Sequence, residues 1–266
     1  MGNQIKRAEV ALFGAPASAE NLDLLDPLHF VQKALAPKVA FITGALEQVL
    51  LANPDLIIWA DMLPLADPEP LLNWVKAGGT LVRFAGPRLA AANPAALRED
   101  PLLPVVLRQG GRQLGGAMSW DQPKAIEPFA LDGPFAGLTL PPDIRVRAQV
   151  LAQPSPNLAA RVIARLQDGT PLITRKEAGS GQIVFWHITA NTDWSNLPLS
   201  GLFLDMLNRL NAARGWQDEV PLAAGSVWSP VQVLDGLGKI VDADYLPGIA
   251  AELLQQRRLG ALSPPG

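Results

Sequence analysis

Apolar residues fall along this chain in short runs broken by proline and glycine. Ala8–Phe13 is apolar apart from Glu9 and stops at Gly14, which predicts a first strand. Between Leu22 and Leu35 the apolar positions Leu24, Leu25, Leu28, Val31 and Leu35 take near-helical spacing. Lys38–Thr43 predicts a second strand; Leu46, Val49 and Leu50 predict a short helix that ends before Asn53-Pro54. Leu56–Ala60 predicts a third strand, and its nearly continuous apolar run is that of a strand covered on both faces. Pro70–Ala77 predicts a helix closed by Gly78-Gly79, and Thr80–Ala85 a fourth strand. Strands alternating with helices predict a parallel sheet with helices on both faces.

From about Pro104 the helical period disappears and turn residues recur at short intervals. Ile144–Ala152, Ala160–Leu166, Leu172–Lys176 and Gln182–Ile188 predict strands. Asp168-Gly169 and Gly179-Ser180-Gly181 separate the last three, the pattern of an antiparallel meander. Leu199–Ala212 returns to helical spacing, with Leu202, Phe203, Met206, Leu207 and Leu210 on one face. Beyond Trp216, Val231–Leu234 and Lys239–Val241 flank Asp235-Gly-Leu-Gly238 and predict a hairpin; Ile249–Arg258 predicts a short helix. The expected organisation is an α/β core from 1–103 with 182–213, an antiparallel β-rich insertion or extension at 104–181, and a C-terminal hairpin, short helix and linker at 214–266.

Composition narrows the chemistry. The apolar content of 48% and charged content of 18% are those of a globular protein. The net charge is −3 and Lys and Arg are scattered, so no nucleic-acid partner is expected. The chain has no cysteine, which removes disulfides, thiolate metal sites and thiolate nucleophiles. Its two histidines, His29 and His187, are too few for a His-rich metal centre, and no metal is expected. No run reaches the roughly 20 apolar residues of a membrane-spanning helix, and no signal-peptide pattern opens the chain. The start leading straight into a strand and the closing Ser263-Pro-Pro-Gly266 read as the ends of a segment cut from a longer protein.

Pro54-Asp-Leu-Ile-Ile-Trp-Ala-Asp61, followed by Leu71-Leu-Asn-Trp-Val-Lys-Ala-Gly-Gly-Thr-Leu-Val-Arg-Phe-Ala-Gly86, resembles the core of class I glutamine amidotransferase-like domains. The resemblance implies a flavodoxin-like or amidotransferase-like parallel sheet with an antiparallel β extension. In the enzymes the second of these strands ends in a sharp turn bearing a nucleophilic cysteine. Phe84, Ala85 and Gly86 hold the matching positions here, so glutaminase chemistry is excluded. Gly116-Ala-Met-Ser-Trp120, Gly133-Pro-Phe-Ala-Gly-Leu138, Asp168-Gly-Thr-Pro-Leu172, Gly179–Ile188 and Asn191–Phe203 resemble one bacterial group of large membrane-anchored proteins of unknown function. In that group a pair of aerotolerance-type transmembrane helices precedes an amidotransferase-like domain, and a further domain of unknown function follows it. The resemblance implies the soluble middle piece of a protein anchored in the inner membrane, with protein partners in a cell-envelope complex. Contact with the membrane would come only through segments absent from this chain.

Four places carry candidate chemistry, each with a structural alternative. In the turn Ala85-Gly86-Pro87-Arg88, Gly86 offers close backbone approach and Arg88 an anion partner; the alternative is a tight turn with a solvated arginine. His187 ends a strand as an amidotransferase histidine does, but Ile188-Thr189 replaces the usual Pro-Glu; the alternative is a structural histidine. Asn191-Thr-Asp-Trp-Ser-Asn196 places Asp193 and Ser195 beside Trp194, as a polar ligand site with a stacking surface or as a helix cap. Asp61 with Asp67 and Glu69 offers paired carboxylates, or acids at a helix start among Pro64, Pro68 and Pro70. Asp242-Ala-Asp244 has part of a calcium-loop spacing without its glycine and glutamate. Gly78-Gly79 follows a helix, and Gly110-Gly111 and Gly115-Gly116 flank Arg112 in a loop. None is a phosphate loop, so no cofactor is expected.

These observations favour a non-catalytic amidotransferase-like module that binds a partner or a ligand. The alternative is an amide or ester hydrolase in which Ser195 is the nucleophile and His187 its base. A glycan-binding or sensor role at the envelope is a third reading.

Overall fold

The structure is a computed structural model that describes residues 8–14, 26–108 and 117–212, with short strands at 227–230, 232–234, 240–242, 249–250 and 262–263. It divides into two compact units, Met1–Trp216 and Gln217–Gly266.

The first unit is a mixed α/β layer structure around a mostly parallel seven-stranded sheet. Its strands are β1 (Ala8–Gly14), β2 (Val39–Ile42), β3 (Leu56–Ala60), β4 (Thr80–Phe84), β7 (Val162–Arg165), β8 (Pro171–Ala178) and β9 (Gly181–Trp186). They lie in the order β2-β1-β3-β4-β9-β8-β7. The pairs β1/β2, β1/β3, β3/β4 and β4/β9 are parallel; β9/β8 and β8/β7 are antiparallel. The predicted meander is therefore the same sheet continued, because β9 pairs with β8 on one side and with β4 on the other. A separate antiparallel pair joins β5 (Ala117–Lys124) and β6 (Val146–Val150).

Both faces of the sheet are covered, as its apolar strands require. All five residues of β3 and all five of β4 are buried. On one face Val10, Ile58, Val82 and Val184 pack with α1 (His29–Leu35) and α7 (Gly201–Ala212) through Val31, Leu35, Leu202, Phe203 and Met206. On the other, Ala11, Ile57, Trp59, Leu81 and Ile183 pack with α2 (Leu46–Ala52) and α3 (Glu69–Lys76) through Val49, Leu71, Trp74 and Val75. Helix α3 stops where Gly78 turns to φ +117°, a conformation that glycine adopts without a Cβ penalty. Two short helices, α4 (Pro87–Ala90) and α5 (Pro94–Glu99), follow β4.

Several elements depart from the sequence expectation: α4, α5 and β5 have no counterpart in the pattern, and α1 starts only at His29. Leu158–Arg161 forms a helical turn, α6, and the strand starts at Val162. The last helix is split: Leu197–Leu199 is a 3-10 turn, and α7 begins at Gly201 after the Ser200 hydroxyl accepts the Phe203 N–H at 3.3 Å. In the second unit, Ile249–Ala250 is a strand paired with Val227–Trp228 instead of the start of a helix, because that partner edge takes up its backbone groups; 251–261 lie outside the described residues. The predicted hairpin there is present, Gln232–Leu234 pairing with Ile240–Asp242. Among the described residues no helix is long and apolar enough to cross a membrane.

Candidate functional site

In a parallel sheet, ligands bind beyond the carboxyl ends of the strands. Here the ends of β3, β4 and β9 bring together Asp61, the Ala85–Arg88 turn and His187. Asp61 sits just past β3 with φ +51°, a left-handed conformation that Asp tolerates better than most residues. Its N–H donates to the Phe84 carbonyl at 3.1 Å, which turns the side chain toward the end of β4. There Oδ1 accepts the Leu89 N–H at 2.9 Å and Oδ2 the Arg88 N–H at 3.2 Å. One carboxylate thus caps the open backbone donors of α4.

Gly86 is the counterpart of that cap. Its backbone is extended (φ −175°, ψ 178°), so conformation does not demand glycine. Space does: a Cβ at Gly86 would lie 2.2 Å from Asp61 Cγ, 2.4 Å from Oδ1 and 2.5 Å from Cβ. Asp61 fills the room above the turn. Burial raises its pKa first of all and the nearby Asp193 carboxylate adds to this; the Leu89 and Arg88 N–H groups and the Arg88 charge pull the other way. Ala85, one residue earlier, turns its methyl into an apolar cluster with Leu89, Phe185 and Trp194. Arg88 is exposed.

His187 is completely buried. Its Nδ1 donates to the Val150 carbonyl at 2.8 Å, and Nε2 lies 3.2 Å from Thr174 Oγ1. Its ring stands edge-on to Phe185. Burial lowers its pKa to about 4, partly opposed by the Val150 carbonyl, so the ring is neutral at physiological pH. It joins β6 to the main sheet. Ser195, also fully buried, accepts the Leu197 N–H at 2.8 Å through Oγ and starts the 3-10 turn. Asp193 accepts from the Asn191 amide at 3.0 Å. Trp194 packs into the apolar cluster, and its carbonyl receives the Arg147 N–H at 2.7 Å. The residues named for a hydrolase are thus each bonded to other groups, with no hydrogen bond between His187 and Ser195 among the described residues.

The remaining candidates lie apart. Asp67 Oδ1 accepts the Glu69 N–H at 3.2 Å at the start of α3. His29 begins α1 with its ring against Phe30. Among the described residues no three acids or histidines cluster to hold a metal. Gly110, Gly111, Arg112, Gly115, Gly116 and Asp244 lie outside the described residues.

Sequence reading missed the most polar part of the buried structure. Arg83, 2% exposed, forms a 2.7 Å ion pair with Asp100. The signal was present: an arginine in the middle of the core strand Thr80–Phe84 must find a partner once buried.

No protein-family model and no curated protein matches the chain. Solved structures do. A cytoplasmic protein from Salmonella typhimurium is 12% identical over 78% of this chain and 98% of its own, with a TM-score of 0.55. A second cytoplasmic protein, from Salmonella typhimurium LT2, is 12% identical over 77% of this chain and 99% of its own, at 0.57. A cold-adapted beta-galactosidase from a Rahnella species is 18% identical over 85% of this chain but 34% of the enzyme, at 0.54. These likenesses describe the fold.

Proposed function

We propose that this chain is a non-catalytic module on a flavodoxin-like, amidotransferase-like scaffold, acting as a protein-interaction or ligand-binding part of a larger membrane-anchored bacterial protein. One observation carries the reading. Where the amidotransferases that this sequence resembles place a nucleophile, the Asp61 carboxylate is packed against Gly86 and bonded to the N–H groups of Arg88 and Leu89. An oxyanion or substrate carbonyl would need those donors free. The absence of cysteine and the separate engagements of His187 and Ser195 favour the same reading. The beta-galactosidase likeness does not argue for hydrolysis, since the chain spans only 34% of that enzyme.

The test is turnover. Ammonia release from glutamine and hydrolysis of nitrophenyl esters and anilides should equal buffer rates for the purified chain. Turnover that disappears in Ser195→Ala while the fold is kept would overturn the reading in favour of the hydrolase.

A further inference from the structure

The amino ends of β4 and β9 and the end of β8 line a polar pocket of about 250 Å³, at the opposite end of the sheet from Asp61. Thr80 of β4 pairs with Gln182 of β9, and Gln182 pairs with Glu177 of β8. The Gln182 amide reaches α7, so this row lies on the α7 face. Arg175, two residues before Glu177, shares that face because strand side chains alternate. The rim is held by the end of α3: the Ser180 N–H donates to the Lys76 carbonyl at 2.9 Å, and the Gln182 N–H to the Gly79 carbonyl at 3.2 Å. Gln182 is 8% exposed, and its Nε2 donates to the Leu210 carbonyl, in the last turn of α7, at 3.1 Å. A carbonyl only accepts, so the amide nitrogen is fixed there and Oε1 remains as an acceptor. Thr80 is 2% exposed, yet its hydroxyl has no partner among the described residues. Arg175 is half-buried and Glu177 exposed; they form no ion pair with each other or with any other described residue. The pocket thus presents a guanidinium on one side. On the other it presents a carboxylate, an amide oxygen and the partial negative charge of a helix C-terminus.

We propose that this pocket binds a zwitterion, a small free α-amino acid, with its carboxylate on Arg175 and its ammonium on Glu177 and Gln182 Oε1. A lone anion placed here meets Glu177 and the end of α7; a lone cation meets Arg175. A ligand that carries both charges satisfies both sides. Residues two apart on a strand stand roughly 7 Å apart, a gap that an ammonium and a carboxylate on one carbon bridge. The Thr80 hydroxyl, able to donate or accept, serves either group. The volume sets the size of the ligand: it falls below the roughly 300–1,000 Å³ of pockets for drug-sized molecules, which leaves room for a small side chain. The site is separate from Asp61, His187 and Ser195, so it stands whether or not those residues are catalytic.

Calorimetric titration of the full chain tests it with three probes: L-alanine, ethylamine (alanine without its carboxylate) and propionate (alanine without its ammonium). Alanine should bind saturably at millimolar concentration. Each half-ligand should bind about ten-fold more weakly or worse, since one charge-assisted contact is worth roughly that factor. In Arg175→Gln the advantage of alanine over ethylamine should vanish; in Glu177→Gln its advantage over propionate should vanish. Both side chains reach solvent, so both variants should keep the wild-type circular dichroism. The half-ligand comparison on the unaltered chain depends on no variant. No saturable binding of alanine overturns the proposal. So does propionate or ethylamine binding as tightly as alanine, which would make this a simple anion or cation site. Alanine binding unchanged in both variants would place the ligand elsewhere on the chain and overturns it too.

Discussion

Replacing Gly86 with alanine should be costly in this protein and nearly free once Asp61 is gone. The alanine Cβ would fall 2.2–2.5 Å from three Asp61 atoms. To relieve that overlap the carboxylate must leave the N–H groups of Arg88 and Leu89, and its loss as a helix cap costs about 0.5–2 kcal/mol. Residual crowding in a closed site adds about 1–3 kcal/mol. Gly86→Ala alone should therefore destabilise by about 2–4 kcal/mol. Asp61→Gly alone should cost about 1–2 kcal/mol, since it removes the cap but relieves the φ +51° backbone. In the Asp61→Gly background the extended φ of −175° at residue 86 suits alanine, and the second substitution should fall within about 1 kcal/mol of neutral. The coupling should be about 2–3 kcal/mol, against the ~0.5 kcal/mol scatter of independent sites. Urea unfolding followed by the fluorescence of buried Trp59, Trp74, Trp186 and Trp194, checked against circular dichroism for coincidence, measures it. Additive losses would refute the packing of Asp61 against Gly86.

Three further outcomes are expected. His187 binds its proton less readily folded than unfolded, so stability should be complete above pH 6.5 and fall as pH drops toward about 4, by about 3 kcal/mol, with His187→Gln flattening that window in acid-dependent urea unfolding. Asp100→Asn leaves Arg83 buried without its countercharge and should cost about 3–5 kcal/mol in the same assay. Gly181→Ala would set a Cβ 2.0 Å from the Val75 carbonyl, backbone against backbone, and should lower Tm by several degrees; an unchanged Tm would contradict the close approach of the β8–β9 turn to α3.

What could be read from the sequence is what local pattern determines. The run Leu56–Ala60 matches β3, and Pro70, Gly78 and the apolar stripe between them place α3 almost to the residue. The return of 182–213 to the core was legible, but the parallel pairing of β4 with β9 and its register, Thr80 beside Gln182, were not, because no shared periodicity links the two strands. Asp61 was legible as an acid at a strand end. Its role was not, since its partners Arg88 and Leu89 lie 27 and 28 residues away and are backbone groups without a side-chain signature. Of the two cap candidates only Ser195 caps, accepting the Leu197 N–H; Asp193 instead pairs with Asn191, its carboxylate accepting from the Asn191 amide and its own N–H donating to Asn191 Oδ1, an arrangement that only the fold of the loop shows. Arg161 and Lys176 fall in the predicted strands Ala160–Leu166 and Leu172–Lys176, where nothing in the sequence marks their partners. Their convergence on the Pro104 and Leu103 carbonyls depends on where that segment crosses the sheet.

The most direct measurement of the central claim is the intact mass of the protein after incubation with a fluorophosphonate, which reacts only with serines activated by a base. With Ser195 capping Leu197 and His187 held by Val150 and Thr174, the account predicts an unshifted mass. A single stoichiometric adduct on Ser195, lost in His187→Gln, would contradict the account and make the protein a hydrolase.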